Sequence, residues 1–179
     1  MKPYLRNEHL LLRAAEPEDL EVMLALENEP EHWDVSNTTV PYSRYGLRRY
    51  LEETTYDIHA DRELRLMMAD PARPTETVGI ISVTDISVRH LRGEVGLAVR
   101  KDCRRQGYGR VALELLCDYM FEQLLFEQLY AYVPTDNEAS LVLFKQVGFE
   151  PCGLLKRWLK RHAGSCDVLL LQRLNVRTL

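Results

Sequence analysis

Arg104-Arg105-Gln106-Gly107-Tyr108-Gly109 is the stretch whose residue types and spacing are best suited to chemistry. It stands between an extended run, Gly93 to Val99, and a run in which Leu115, Leu116, Tyr119 and Met120 recur at helical spacing. Such a strand-to-helix junction leaves backbone N–H groups unpaired at the helix start, where the helix dipole also favours an anion. Gly107 and Gly109 let the backbone come close to a ligand, and Arg104, Arg105 and Arg110 add positive charge. A pyrophosphate suits this place. Glycines at a helix start also serve tight packing, and a basic stretch also serves as a solvated loop, so the residues alone leave those readings open.

Other chemistries find less support. Cys103, Cys117, Cys152 and Cys166 are far apart, with no CxxC pair, and His9, His32, His59, His90 and His162 are equally scattered. Neither a disulfide framework nor a metal site is expected, and the thiols read as reduced and structural. A net charge of −4 argues against a protein whose task is to coat nucleic acid. The N-terminal residues carry charges where a secretory signal needs an apolar core, and no apolar run approaches the roughly 20 residues of a membrane span. A soluble, cytoplasmic protein without a membrane partner is the expectation.

Elements that position the loop can be read from periodicity. The 179 residues predict one domain over 1–179, with strand and helix signals alternating and no internal repeat. A first strand over 9–13 leads to a helix from Pro17 to Glu27, and Ser43 caps a second helix carrying Leu47, Tyr50 and Leu51. Extended runs over 63–69 and 77–83 are separated by a loop containing Pro71 and Pro74. The helix after Gly107 is expected to reach about Leu124, and Gln128 to Val133 reads as the next strand. Asp136 or Asn137 caps a helix ending at Gly148, and a hairpin of 154–160 and 166–171, turning through Ala163-Gly164-Ser165, closes the chain.

Taken together, these features resemble the GNAT acyltransferase superfamily. The loop matches its RxxGxG/A signature, a strand glutamate, Glu94, precedes Gly107 by 13 residues, and Asp136-Asn137-Glu138-Ala139-Ser140 opens a helix that ends in Gly148-Phe149. More narrowly, Leu12-Arg13 followed by Pro17-Glu18-Asp19-Leu20 is similar to the branch holding diamine and spermidine N-acetyltransferases and ribosomal-protein N-terminal acetyltransferases. The resemblance implies an α/β (α+β) domain with a mixed sheet of about six to seven strands, splayed at a bulge and flanked by about four helices. It implies acetyl-CoA as cosubstrate, no metal, and direct attack by a primary amine, whether of a polyamine, a small amine or a protein N-terminus.

Residue roles follow from the same resemblance. Leu97 and Val99 would offer backbone groups to pantetheine, residues Arg104 to Arg110 would hold the phosphates, and Asn137 and Phe144 would line the cofactor. An alkyl amine with a pKa near 10.4 is about one part in a thousand neutral at pH 7, so a base must accept its proton, and Glu94 is the candidate. Phe144 stands where many relatives have a tyrosine acid, which leaves Ser140, Tyr132, water or no general acid for the departing thiolate. Glu29, Trp33 and Trp158 are candidates for the acceptor site, Glu29 belonging to an acidic early region (Glu16, Glu18, Asp19, Glu21, Glu27, Glu29, Glu31 and Asp34) and the tryptophans able to wall a slot for an ammonium. Lys156, Arg157, Lys160, Arg161 and His162 point the other way, toward an acidic partner. The oligomeric state stays open, a homo-oligomer included. A non-catalytic acyl-CoA-binding or interaction module is the alternative.

Overall fold

Apolar residues recurring at strand and helix spacing are gathered into three layers in the computed structural model, which describes residues 4–33, 38–161 and 164–176. β1 (Leu11–Arg13) leads through a 3-10 turn at Pro17–Asp19 into α1 (Leu20–Glu27), α2 (Pro30–Trp33), α3 (Arg44–Glu53) and α4 (Ile58–Asp61). Three strands follow, β2 (Leu64–Asp70), β3 (Arg73–Ser87) and β4 (Arg92–Val99), then α5 (Tyr108–Asp118), β5 (Gln128–Pro134), α6 (Glu138–Gln146), β6 (Glu150–Arg161) and β7 (Gly164–Leu174). The seven strands form one mixed sheet in the order β1-β2-β3-β4-β5-β7-β6, in which β4 and β5 are the parallel pair. The expected sheet and its four longer helices are present; α2 and α4 are added four-residue turns.

Each face of the sheet is covered by a different helix pair. Leu20, Met23 and Leu26 of α1 and Leu47 of α3 pack with Met67 and Ile80 on one face. On the other, Leu113 and Leu116 of α5, Met120 and Phe144 of α6 pack with Val83, Val95 and Leu129. Fully burying such a side chain contributes about 1.5–3 kcal/mol, which is why α5 lies fixed against β4. Ser43 caps α3 as expected, its Oγ accepting from the Gly46 N–H at 2.9 Å.

Several boundaries differ from those read in the sequence. The loop expected around Pro71 and Pro74 is a tight turn: Asp70 pairs with Arg73 in register, Asp70 Oδ1 accepts from the Ala72 N–H at 2.8 Å, and Pro74 already lies in β3. The helix after Gly107 does run to Gln123, but its last turn, Tyr119–Gln123, is π-helical. Ala163 of the closing hairpin turn lies outside the described residues, as do Asp34 and His162. No helix among the described residues is long and apolar enough to cross a membrane.

Candidate active site

The sheet opens in its middle. Pairing between β4 and β5 covers Arg92↔Gln128, Gly93↔Leu129 and Glu94↔Tyr130, and stops there, so the strands diverge beyond Glu94. Arg100 donates its backbone N–H to the Val78 carbonyl at 2.9 Å, continuing the β3–β4 register in which Gly79 faces Val99. The alternation of an antiparallel ladder then turns the backbone groups of Leu97 and Val99 the other way, into the gap. Their side chains instead face α5 and α6, where they pack against the core. The register shift beside the gap lies in β3, between Thr84 and Ser87, rather than in β4.

At the mouth of the gap, the turn into α5 has the backbone of an anion cradle. Arg105 (φ 61) and Gly107 (φ 86) are both left-handed, a sequence of conformations that turns successive N–H groups toward one point. The N–H groups of Tyr108, Gly109 and Arg110 in the first turn of α5 have no intrahelical acceptor to meet, and the helix dipole reinforces them. A Cβ on Gly107 would have no atom within 4 Å, whereas one on Gly109 would meet Leu143 Cδ2 and Leu97 Cδ1 at 3.4 Å. Gly107 thus leaves open space beside the amides, while Gly109 lets the helix start close against β4 and α6.

Most of the loop's positive charge is already committed. Arg104 donates from Nε to the Val99 carbonyl at 3.0 Å and reaches Glu29 at 3.0 Å and Glu31 at 2.7 Å. Lys101 joins the same two carboxylates at 3.1 and 3.4 Å. Glu31 is held below the usual carboxylate range by hydrogen bonds from Arg104 and Lys101. Arg100 pairs with Asp102 and Arg110 with Glu114, and the Gln106 side chain donates to the Asp102 carbonyl. Arg105, exposed, has no ion-pair partner among the described residues.

Several carboxylates of the acidic early region are likewise paired. Asp19 is bound by Arg13, Glu21 by Arg44 and Glu27 by Arg65. Glu29, expected at the acceptor site, is a near-buried ion-pair partner of Lys101 and Arg104 in the loop before α5, and Trp33 donates from Nε1 to the Glu27 carbonyl at the end of α1.

Glu94 lies where the gap begins, half-buried, on the sheet face that carries α1 and α3. Burial, and then the charge of Asp85, raise its pKa above the ordinary value, which suits a group that must accept a proton. Two residues that the sequence did not single out, Asp85 and Tyr130, complete this cluster: Tyr130 donates its hydroxyl to Asp85 Oδ2 at 2.5 Å. The Tyr130 ring is edge-on to Tyr132 at 5.8 Å, and Tyr132 stacks on Trp158 with centroids 6.1 Å apart and planes 15° apart. Trp158 reaches Tyr132 because β6 bulges between Leu155 and Leu159, with Arg157 at φ 53 and its N–H on Asp167 Oδ1 at 2.6 Å. The aromatic partner of Trp158 is therefore Tyr132, not Trp33.

On the α6 side, Asn137 Oδ1 caps the helix by accepting from the Ser140 N–H at 3.1 Å, and the Ser140 residue is half-buried. Phe144 is 5 % exposed, its ring edge-on to Phe149 at 5.0 Å, so it packs in the core. Tyr132, at 39 % exposure, is the phenol available on β5. A separate cavity of about 430 Å³ between α3, α4 and β2, lined by Tyr50, Leu51, Ile58 and Leu64 among others, contains none of these residues. Among the described residues no group of three His, Cys, Asp or Glu side chains is placed to hold a metal ion.

Comparison with known proteins gives this geometry a setting. Residues 9–150 match the model of the acetyltransferase (GNAT) domain family. The uncharacterized N-acetyltransferase p20 of Bacillus licheniformis is 25% identical over 170 residues, covering 95% of each chain. The spermidine N(1)-acetyltransferase of Escherichia coli K12 is 27% identical over 149 residues, 80% of this chain and 74% of its own. Among solved structures, the spermidine N-acetyltransferase of Vibrio cholerae in complex with CoA and spermine superposes with a TM-score of 0.82 at 24% identity, covering 94% of this chain and 97% of that one.

Proposed function

Because this chain belongs to the GNAT acetyltransferases, we propose that it moves the acetyl group of acetyl-CoA to a primary amine, with a polyamine such as spermidine as acceptor. The observation that carries the reading is the opening of the sheet just past Glu94, flanked at its mouth by the amides that start α5. The residues fit the cosubstrate: the left-handed turn at Arg105 and Gly107 suits its pyrophosphate, and the inward backbone groups of Leu97 and Val99 suit the amide-bearing pantetheine arm. When bound, acetyl-CoA supplies a thioester whose thiolate can leave.

The chain's own groups do the rest. Glu94 accepts the proton of the incoming ammonium, without which protonation at pH 7 withholds about 4 kcal/mol of reactivity. The raised proton affinity of Glu94 narrows the gap between donor and acceptor. Free N–H groups of β4 facing the gap polarise the carbonyl under attack. Tyr132, exposed beside the gap, replaces the phenol that Phe144 cannot supply, or solvent protonates the thiolate directly.

A polyamine is favoured over a protein N-terminus by the spermidine-acetylating relative and by the site's chemistry. Two carboxylates, Asp85 and Glu94, meet an aromatic strip formed by Tyr130, Tyr132 and Trp158, which suits a slender chain of ammonium groups. Spermidine, spermine, amino-terminal peptides and small amines, each offered with acetyl-CoA and followed by thiol release, test the proposal. Fastest turnover of the polyamines is expected. Preference for a peptide would overturn the acceptor, and coenzyme affinity with no product from any amine would make the chain a binding module.

A further inference from the structure

We infer that Asp85 is a positioning residue for the reaction: fixed by a left-handed turn in β3 and by the Tyr130 hydroxyl, it places a second carboxylate beside Glu94 and keeps Glu94 a proton acceptor. The inference rests on the reading of Glu94 given above.

Its basis is an irregular piece of backbone that turns Ile86 into the core and leaves Asp85 exposed at the sheet surface. Thr84 pairs with Glu94 but Ser87 pairs with Arg92, so β3 carries one extra residue opposite Gly93. Asp85 takes up the excess at φ 47, a conformation costly to residues with a side chain and tolerated best by Asn and Asp. The strand opposite is adapted to it. A Cβ on Gly93 would lie 2.3 Å from Val83 Cγ1, so only glycine lets β4 run this close to the irregular part of β3.

Besides burying Ile86, the turn places one carboxylate. Tyr130 stands in register with Glu94 across the parallel pair, and its hydroxyl meets Asp85 Oδ2 at 2.5 Å, so Asp85 spans from β3 to β5 across the strand that bears Glu94. A strained residue held from both sides beside a reacting group is the arrangement expected where conformation is maintained for function.

The neighbours of Glu94 make the effect one-sided. Asp85 faces it from β3 and Tyr130 from β5, the latter carrying no positive charge. Arg92, two residues earlier on β4, is exposed, and Arg62 at the end of α4 turns toward the Ile86 carbonyl at 3.5 Å. A carboxylate beside a carboxylate disfavours a second negative charge, which strengthens Glu94 as a base. Burial and the hydrogen bond to Asp85 push the Tyr130 phenol up, so its proton stays on the tether.

The test reads Glu94 in two ways, in wild type, Asp85→Asn and Glu94→Gln. Carbon-13 NMR follows the Glu94 carboxyl titration in the resting protein, and kcat/KM is measured against pH with acetyl-CoA and the best amine of the acceptor panel. Asp85→Asn keeps an acceptor for Tyr130, and it is expected to move both the Glu94 titration and the acidic limb of the rate profile to lower pH. If Asp85→Asn fails to fold, Asp85→Gly, which suits a positive φ, is expected to give the same shift. A folded variant in which Glu94 titrates as in wild type overturns the inference. A Glu94→Gln enzyme that keeps the wild-type acidic limb instead overturns Glu94 as the base, and leaves the NMR result to decide whether Asp85 acts on it.

Discussion

Arg105 and Arg104 are adjacent, yet the structure gives them different work. Arg104 is spent on the Val99 carbonyl, Glu29 and Glu31, while Arg105 stands exposed at the left-handed turn with no carboxylate partner among the described residues. Replacing Arg105 with alanine is therefore expected to weaken coenzyme A binding by about three- to tenfold in calorimetry, with the loss shrinking at high salt. An unchanged Kd would place the phosphates elsewhere. At this scale the sequence singled out the loop and Glu94 as candidates because their types and spacing are local signals. Asp85 and Tyr130 were hidden, since their meeting depends on strand register, whereas the helical spacing of Phe144 already pointed to the core position in which it packs against Phe149.

The start of α2 and the residue before it are held to the loop between β4 and α5 by four ion pairs that join Glu31 and Glu29 to Lys101 and Arg104. On the proposed reading, phosphate oxygens would compete with these carboxylates for the same cations. Glu29→Gln together with Glu31→Gln is expected to tighten coenzyme A binding severalfold at low salt, an advantage that fades by about 1 M salt, where the screening length falls to about 3 Å. Weaker binding in the double variant would show that the carboxylates organise the loop rather than compete for it. Helix and strand order was readable from periodicity because apolar faces repeat at 3.6 and 2 residues. The tight turn at Pro71 and the bulge at Arg157 were not, because the first rests on the Asp70 side chain and the second on Asp167, contacts that no periodicity encodes.

Across the whole domain, one network around the buried Asp19 and Thr77 joins the first strand to the strand that leads to the loop before α5. Arg13 binds both oxygens of Asp19 at 2.6 and 2.8 Å, Thr77 donates to Asp19 at 2.8 Å, and Arg100 donates to the Thr77 carbonyl at 3.1 Å. Burial alone would raise the pKa of Asp19, but Arg13, the Glu16 N–H and Thr77 outweigh it and hold the carboxyl below its ordinary value. The sign follows from linkage: this stabilisation is full above the unfolded pKa of about 3.9 and is lost as pH falls through the lower folded value. Asp19→Asn leaves Arg13 without its charge partner, and is expected to cost about 3–5 kcal/mol near neutral pH, with a smaller difference from wild type in strong acid. Thermal melting reads this at roughly 2–4 °C per kcal/mol, and equal melting temperatures would remove the network from the stability account.

The central claim is that this domain transfers acetyl groups to amines with Glu94 taking the proton. Thiol release and acetylated product, followed together across pH 6 to 10 for wild type and Glu94→Gln with acetyl-CoA and spermidine, test it most directly. Wild type is expected to form the two products in equal amounts. Glu94→Gln is expected to lose about 10²–10⁴-fold near pH 7 and to recover as pH approaches the amine's own pKa, where the acceptor is already neutral. Two profiles running parallel across that range would contradict the account.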